Sequence, residues 1–406
     1  MLNLDKNKKY LLACSYGPDS MALFDMLLKE NYRFEVAHVN YHLREESDAE
    51  EKALSAYCAD HNTLIHIKNV SLKIKNNIEA KCRDIRYSFF CDLYFKNDFS
   101  GLIVAHNEDD HIETYFLQKQ RQNLVKHYGI SEFNHLLGMD VYRPLLGFTK
   151  QELLVYCENN NVPFAIDKTN LEPVFERNKI RIGVVSKMNR QERDEIIAEI
   201  DQKNDQVHNI IEKVRKVGSS IERINELSDV ELAYYLDGII NNNEYNFAVT
   251  YNLVKEVRKM FDSKKPNIII NFNRNKCQLV KDYDSLHFQP TPKTDGYEFE
   301  MSKPSVIDNK FFFADFTGDT SNRNITALDY PITIRTFRKG DKYVIKDYQV
   351  LVRRLFIDWK MPTHLRQRWP IITNKNGKII YIPRYRKEFK PEASCNFYVK
   401  ECFTLK

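Results

Sequence analysis

The chain has 406 residues, 43% hydrophobic and 29% charged, which is enough for two or three domains with substantial cores and ordinary for a globular protein. No apolar run approaches the roughly 18 residues needed to cross a bilayer, and the N-terminal MLNLDKNKKY has no apolar core of signal-peptide length, so a cytoplasmic protein with no membrane partner is expected. Net charge is only +5, yet residues 331–406 carry 18 Lys and Arg against 6 Asp and Glu, or +12, while the rest of the chain carries 43 against 50, or −7. That division suggests a polyanionic partner reached through the C-terminus. A solvated basic face fits the same composition equally well.

In chain order, KYLLAC (9–14) reads as a strand and is followed by a helix over 19–30. RFEVAHVNY (33–41) is the next strand and SDAEEKALSAYCADH (47–61) the next helix, with Ser47 as N-cap and Glu50 three residues on. TLIHIKNV (63–70) precedes a long helix, NIEAKCRDIRYSFFCDLYF (77–95). GLIVAHN (101–107) is a short strand running into the helix DDHIETYFLQKQ (109–120), and QELLVYCENN (151–160) is one more helix. Repeated strand–helix units predict an α/β fold, a parallel sheet with helices on both faces. Ligands of such sheets bind at the carboxyl ends of strands.

From 190 to 265 the pattern is mostly helical and polar, and 266–300 holds short strand-like runs such as NIIINF. Residues 310–406 are β-rich with charged turns, as expected of a small basic α/β domain. The domains expected are therefore 1–190, 191–305 (mostly helical, a domain or linker) and 306–406. Eight cysteines occur without any C-x-x-C pair, so they are expected to be reduced and largely buried, with no zinc or iron–sulfur spacing.

The turn SYGPDS (15–20) joins the first strand to the first helix. Such a turn offers free backbone N–H groups and the positive end of a helix dipole, a cradle for an anion. Ser15 and Ser20 add hydroxyls, Gly17 permits close approach and unusual φ, and Pro18 suits the first helical position. The absence of G-K-[ST] rules against a Walker loop. Asp19 makes sense in an anion cradle where Mg²⁺ bridges it to phosphate; in an ordinary strand–helix turn it would simply cap. Further along, His106, Asp110 and Glu113 stand at i, i+4 and i+7 on one face of a helix start. One imidazole and two carboxylates can hold Mg²⁺, orient an amine and accept its proton, or form a solvated face. Glu79, Arg83 and Arg86 have the same spacing, either as a salt-bridged face or as a guanidinium pair aimed at phosphates.

SYGPDS resembles the S-G-G-x-D-S signature of the PP-loop ATP pyrophosphatases, and within that superfamily the chain resembles the tRNA(Ile)-lysidine synthetases. The matching stretches are 37–51, 76–90, 105–114, 138–153 and 167–181, and in the tail 332–342 and 353–372. Their order and spacing carry the resemblance. It implies a PP-loop nucleotide-binding catalytic domain over 1–190 and a basic tRNA-binding domain over 306–406. The implied substrates are ATP, L-lysine and a tRNA(Ile) with a CAU anticodon, with Mg²⁺ as cofactor. ATP would adenylate the C2 oxygen of the first anticodon cytidine, and the lysine ε-amine would then displace AMP.

Carried onto this chain, the resemblance places ATP at Ser15, Tyr16, Gly17, Pro18, Asp19, Ser20 and Arg83, and Mg²⁺ at Asp19 and Asp110. The chemistry falls to Asp19, His106, Asp110, Glu113, Arg177, Asn178 and Arg181, with the two helix carboxylates receiving the lysine ammonium. Arg338, Lys339, Arg353, Arg354, Arg384 and Arg386 are the expected tRNA contacts. Tyr16 replaces the first loop glycine, which costs roughly 1–2 kcal/mol if that position needs positive φ. Pro18 fills the variable position, and Tyr41 stands where a histidine is common. Two rivals remain, a PP-loop tRNA thiolase and a non-catalytic RNA-binding homologue. The first needs paired cysteines, whereas Cys82 and Cys91 fall on roughly opposite helix faces. Whether the chain forms a homodimer is left open.

Overall fold

The apolar residues after Lys8 form strand β1 (Lys9–Ala13), buried at its centre, and the chain then alternates as the pattern predicts. The elements that follow are α1 (Pro18–Lys29), β2 (Arg33–Asn40), α2 (Ser47–Asp60), β3 (Ile65–Asn69), α3 (Ile78–Lys96), β4 (Gly101–Val104) and α4 (Glu108–Arg121). Next come β5 (Phe133–Leu136), β6 (Met139–Tyr142), α5 (Lys150–Asn159), α6 (Glu176–Gly183) and α7 (Arg190–Arg215). The computed structural model describes residues 2–43, 45–71, 78–121, 123–166, 176–241, 247–274, 276–291, 296–317, 325–386 and 396–400. Residues 167–175 of one matching stretch, Cys395, Cys402 and the side chain of Glu79 lie outside the described set. The chain divides into two compact units, Met1–Ile210 and Ile211–Lys406.

The first unit is built on a six-stranded sheet in the order β3-β2-β1-β4-β6-β5, parallel except for β5. Adjacent strand residues point to opposite faces. Leu12 accordingly joins Met21, Phe24, Leu54 and Leu153 in one core, while Leu11 joins Tyr87, Phe90, Leu102 and Val141 in another. Helices α1, α2 and α5 therefore cover one face and α3 the other. The chain runs outward from β1 through β2 to β3, then returns to β4 on the other side of β1. The strand order thus reverses between β1 and β4, the place where open α/β sheets receive ligands.

One local expectation is corrected. Ser47 is the first residue of α2 and not its N-cap; Glu46 takes that place in helical conformation, with its carbonyl accepting from the Glu50 N–H at 2.9 Å. The β5–β6 hairpin was not anticipated. Its turn puts Leu137 at φ 52° and Gly138 at φ 80°, so a leucine stands where the usual hairpin signal has Asn or Gly.

In the second unit, α8 (Ile221–Asn225), α9 (Asp229–Asn241) and α10 (Tyr251–Asp262) precede an antiparallel sheet of β7 (Asn267–Phe272), β8 (Cys277–Asp282) and β9 (Ser285–Pro290). Buried Lys281 caps α10 by donating to the carbonyls of Met260, Phe261 and Ser263 at 2.9–3.2 Å. The rest comprises β10 (Glu298–Met301), β11 (Val306–Asp308), β12 (Phe312–Asp315), β13 (Ile332–Thr336), β14 (Lys342–Ile345), β15 (Tyr348–Leu351), α11 (Val352–Asp358), α12 (Thr363–Arg366), β16 (Pro370–Thr373), β17 (Ile379–Tyr381) and β18 (Phe397–Val399). They form the sheets β10-β13-β16-β17 and β11-β12-β18 and the hairpin β14-β15. Asp282 of β8 accepts from the Thr363 N–H and hydroxyl, so hydrogen bonds cross the boundary expected near residue 305. Among the described residues no helix is long and apolar enough to cross a membrane.

Candidate nucleotide site and basic face

The turn after β1 opens at the switch point and is braced from within. Ser20 Oγ accepts from the Ser15 N–H at 3.2 Å and donates to the Gly17 carbonyl at 3.0 Å. Gly17 is the N-cap of α1 at φ −78°, ψ 163°, an ordinary extended conformation. The positive φ that Gly17 would permit belongs to Tyr16, at 64°, the residue that replaces the first loop glycine. Two anchors hold that conformation: the Tyr16 ring is packed into the core with 9% exposed, and its carbonyl accepts from the Ala165 N–H at 3.0 Å. Tyr16 therefore shapes the loop through its core contacts. Pro18, at the first helical position, has no N–H to offer, which leaves the Asp19 and Ser20 amides without intrahelical acceptors at the helix start.

A cavity of about 450 Å³, within the usual range for small-molecule sites, lies against this turn. Ser15, Asp19 and Ser20 line one wall, Arg83 and Arg86 of α3 another, and His106 borders it after β4. The Arg83 guanidinium stacks over the Tyr87 ring at 4.7 Å, which steers it on that wall. His38, on β2, also lines the cavity, with Nδ1 2.9 Å from the Cys14 carbonyl.

The residues expected as a catalytic stripe meet α6. Glu113, wholly buried, accepts from Arg177 Nε at 2.8 Å and from Arg181 Nε at 2.6 Å, each on a different carboxylate oxygen. Asp110 Oδ1 accepts from Arg177 Nη2 at 2.9 Å and Arg181 Nη2 at 3.4 Å, and its Oδ2 from the Asn107 N–H at 3.3 Å. Burial alone would lower the pKa of Arg181, but its bond to Glu113 and the charges of Glu113, Asp110 and Asp19 outweigh that and raise it. Asn178 is buried on the same helix. Next to this cluster, buried Glu108 and Asp109 bind Arg193 of α7 at 3.1 and 2.8 Å, and Asp109 also accepts from the Lys150 N–H. Sequence reading missed these neighbours because Arg193 and Lys150 are more than 40 residues away.

Asp19 differs from the other carboxylates. Its Oδ1 is buried without a hydrogen-bond partner, and burial, with Asp110 nearby, pushes its pKa up to about 6 against the opposing charge of Lys150. An orphaned carboxylate oxygen at the start of a helix, beside amides without intrahelical acceptors, fits a hard cation. Asp110, expected beside it as a metal ligand, already has both oxygens engaged. Among the described residues no cluster of three or more His, Cys, Asp or Glu could hold a metal ion by itself. His106 is pushed down to about 4, mainly by burial, which Asp110 opposes and the Arg143, Arg177 and Arg83 charges reinforce.

In the second unit Arg338 pairs with Glu298 at 2.7 Å. Lys339, Arg353, Arg354, Arg384 and Arg386 are exposed, and no ion pair among the described residues holds them. Arg335 is different: it is buried and forks onto Asp341 at 2.9 and 3.0 Å, bracing the turn that carries Arg338 and Lys339.

A family model for the PP-loop domain matches residues 1–188, and one for the TilS substrate C-terminal domain matches residues 332–396. A tRNA(Ile)-lysidine synthase of Mycoplasma mycoides is 30% identical over 413 residues, covering 94% of this chain and 98% of that one. One from Staphylococcus aureus is 28% identical over 403 residues, 92% of each chain. Among solved structures, a U34-tRNA thiolase from Methanococcus maripaludis aligns at 16% identity with a TM-score of 0.43, covering 50% of this chain and 74% of that one. On the near full-length likeness to the Mycoplasma enzyme, the chain belongs to the tRNA(Ile)-lysidine synthase family.

Proposed function

We propose that this chain is an ATP-using ligase that forms lysidine in tRNA(Ile), joining the ε-amine of L-lysine to C2 of the cytidine that opens a CAU anticodon. The observation that carries the reading is the match to a lysidine synthase over 94% of the chain, and it is supported by the cavity against the turn after β1 and by the exposed arginines of the second unit. ATP would enter the cavity with its phosphates at the start of α1, met by the Asp19 and Ser20 amides and the Ser15 hydroxyl. The orphaned oxygen of Asp19 would hold Mg²⁺, which when bound neutralises phosphate charge.

In the first step the cytidine C2 oxygen attacks the α-phosphorus and pyrophosphate leaves. In the second the lysine Nε attacks C2, the C–O bond breaks, AMP leaves and the amine gives up a proton. Arg83 stands on the cavity wall for the charge that develops. Arg177 and Arg181 are aimed by Asp110 and Glu113. Because both oxygens of Glu113 are already held by guanidiniums, the geometry supports an orienting role for it over reception of the lysine ammonium. The exposed arginines of the second unit would grip tRNA phosphates without reading sequence.

The test is to incubate the full chain with ATP, a tRNA(Ile) transcript and labelled lysine, and to locate label in the RNA. Label at the first anticodon nucleoside, with AMP and pyrophosphate formed in equal amount, is expected. ATP–pyrophosphate exchange that needs tRNA but yields no lysine transfer would mean another nucleophile, and no exchange at all would mean a binding protein.

A further inference from the structure

Two histidines line the cavity, and their partners give them opposite hydrogen-bonding polarity. His38 Nδ1 lies 2.9 Å from the Cys14 carbonyl. A carbonyl can only accept, so this Nδ1 carries a proton and a neutral ring keeps its lone pair on Nε2. His106 Nδ1 lies 3.2 Å from Nε of Arg143. A guanidinium can only donate, so here Nδ1 carries the lone pair and a neutral ring has its proton on Nε2. We propose that Arg143 is a positioning residue that holds His106 as the Nε2–H tautomer, making His106 a hydrogen-bond donor into the nucleotide cavity and not a base. The inference rests on the functional reading above and assigns a role within that site.

Arg143 is well placed for this task. It is 6% exposed, just after β6, and its backbone N–H donates to the Glu132 carbonyl at 2.8 Å. Its Nη1 donates to the Ser131 carbonyl and to Asn134 Oδ1, both at 2.9 Å. The guanidinium is thereby fixed by the β5–β6 hairpin before it reaches His106. Protonating His106 on Nδ1 would break that bond and set two cations side by side. The charged groups facing His106 are Asp110 of α4, Arg143, Arg177 of α6 and Arg83 of α3. The one carboxylate among them is already shared by Arg177 and Arg181. With the Nδ1 edge turned to Arg143, the Nε2 edge is left for the cavity. A neutral N–H donor there suits charge developing on phosphoryl oxygens, whereas the proton of the lysine amine must go elsewhere.

The tautomer can be read in the full chain labelled with ¹⁵N-histidine, using two-bond ¹⁵N–¹H correlations and assigning His106 by its loss in His106→Gln. The Nε2–H pattern at pH 7 is expected in the wild-type chain, and a mixture of tautomers in Arg143→Met. In the lysine-transfer assay, His106→Gln places an amide N–H near the Nε2 position but cannot act as a base. It should keep kcat within about tenfold of wild type, whereas His106→Ala should lose about 100-fold or more, with KM for lysine unmoved in both. An Nδ1–H or doubly protonated pattern in the wild-type chain, or His106→Gln as inactive as His106→Ala, overturns the proposal. Should Arg143→Met not fold, the wild-type spectrum and the His106 pair still decide it. Wild-type protein that transfers no lysine overturns the functional reading, and the spectrum, which needs no substrate, then upholds or overturns the tautomer alone.

Discussion

In the first unit, the arginines of α6 and α7 are tied down: Arg177 and Arg181 each bridge Glu113 and Asp110, and Arg193 is locked onto Glu108 and Asp109. In the second, Arg353, Arg354, Arg384 and Arg386 are exposed, and no ion pair among the described residues holds them. The difference matches two jobs that charge can do. A reacting phosphoryl group needs cations at fixed positions, and carboxylates on a neighbouring helix supply the fixing at the cost of burying charge. A nucleic-acid backbone needs only cations within reach, and leaving them solvated keeps desolvation small and the release of counterions large.

The largest effect should come from breaking a tied pair. Arg181→Met leaves wholly buried Glu113 with one guanidinium and should destabilise the protein by about 3–5 kcal/mol. Arg354→Met on the exposed face should move stability by no more than about 0.5 kcal/mol. Denaturant titration of the two variants side by side tests the contrast, and equal costs would abolish it.

Smaller is the balance held at Tyr16. Tyr16→Gly relieves a positive φ worth about 1–2 kcal/mol but removes a buried ring worth about 3–5 kcal/mol. A net destabilisation of about 2 kcal/mol is expected in the same titration. A net stabilisation would show that the ring contributes little to holding the loop.

Asp19 should reveal the opposite sign. Its folded pKa of about 6 lies above the ordinary 3.8, so the folded state binds more protons between those values, and ionising the buried group costs stability above pH 6. Asp19→Asn should therefore stabilise the unliganded protein by about 1–2 kcal/mol at pH 7.5, abolish lysine transfer, and lose its advantage as pH falls from 6 towards 4. His106, lowered from 6.5 to about 4, acts in the other direction: the unfolded state binds its proton first, so its contribution is present above pH 6.5 and lost as pH falls to 4. Melting curves at pH 7.5 and 4.5 for wild type and Asp19→Asn separate the two, and an advantage undiminished at pH 4.5 would contradict the assignment.

The smallest change per residue belongs to the exposed cations. Arg353→Gln or Arg354→Gln should weaken binding to any tRNA by a few-fold and flatten its log–log salt dependence by roughly 0.7–0.9 for each phosphate no longer neutralised. Substitution is a cleaner test than truncation, because β13, β16 and β17 all lie beyond residue 331 and removing residues 331–406 would strip the sheet they form with β10 of three of its four strands. Unchanged slopes would make the basic face a solvated surface.

Much of the first unit was legible in the sequence because its determinants are local. Alternating strand and helix periods, a turn residue at each strand end and a three-residue stripe at helical spacing place SYGPDS and His106, Asp110 and Glu113 at the ends of β1 and β4. The charge division between the tail and the rest of the chain needs no structure either. What those residues touch was decided only by the tertiary fold. The partners of Glu113 and Asp110 stand 64 to 71 residues away on α6, and the partner of His106 stands 37 away behind an unsignalled hairpin. A helical period says which side chains share a face; it carries no information about what is packed against that face. For the same reason a tyrosine could take the left-handed place expected of glycine, since the core contacts that hold it come from elsewhere in the chain.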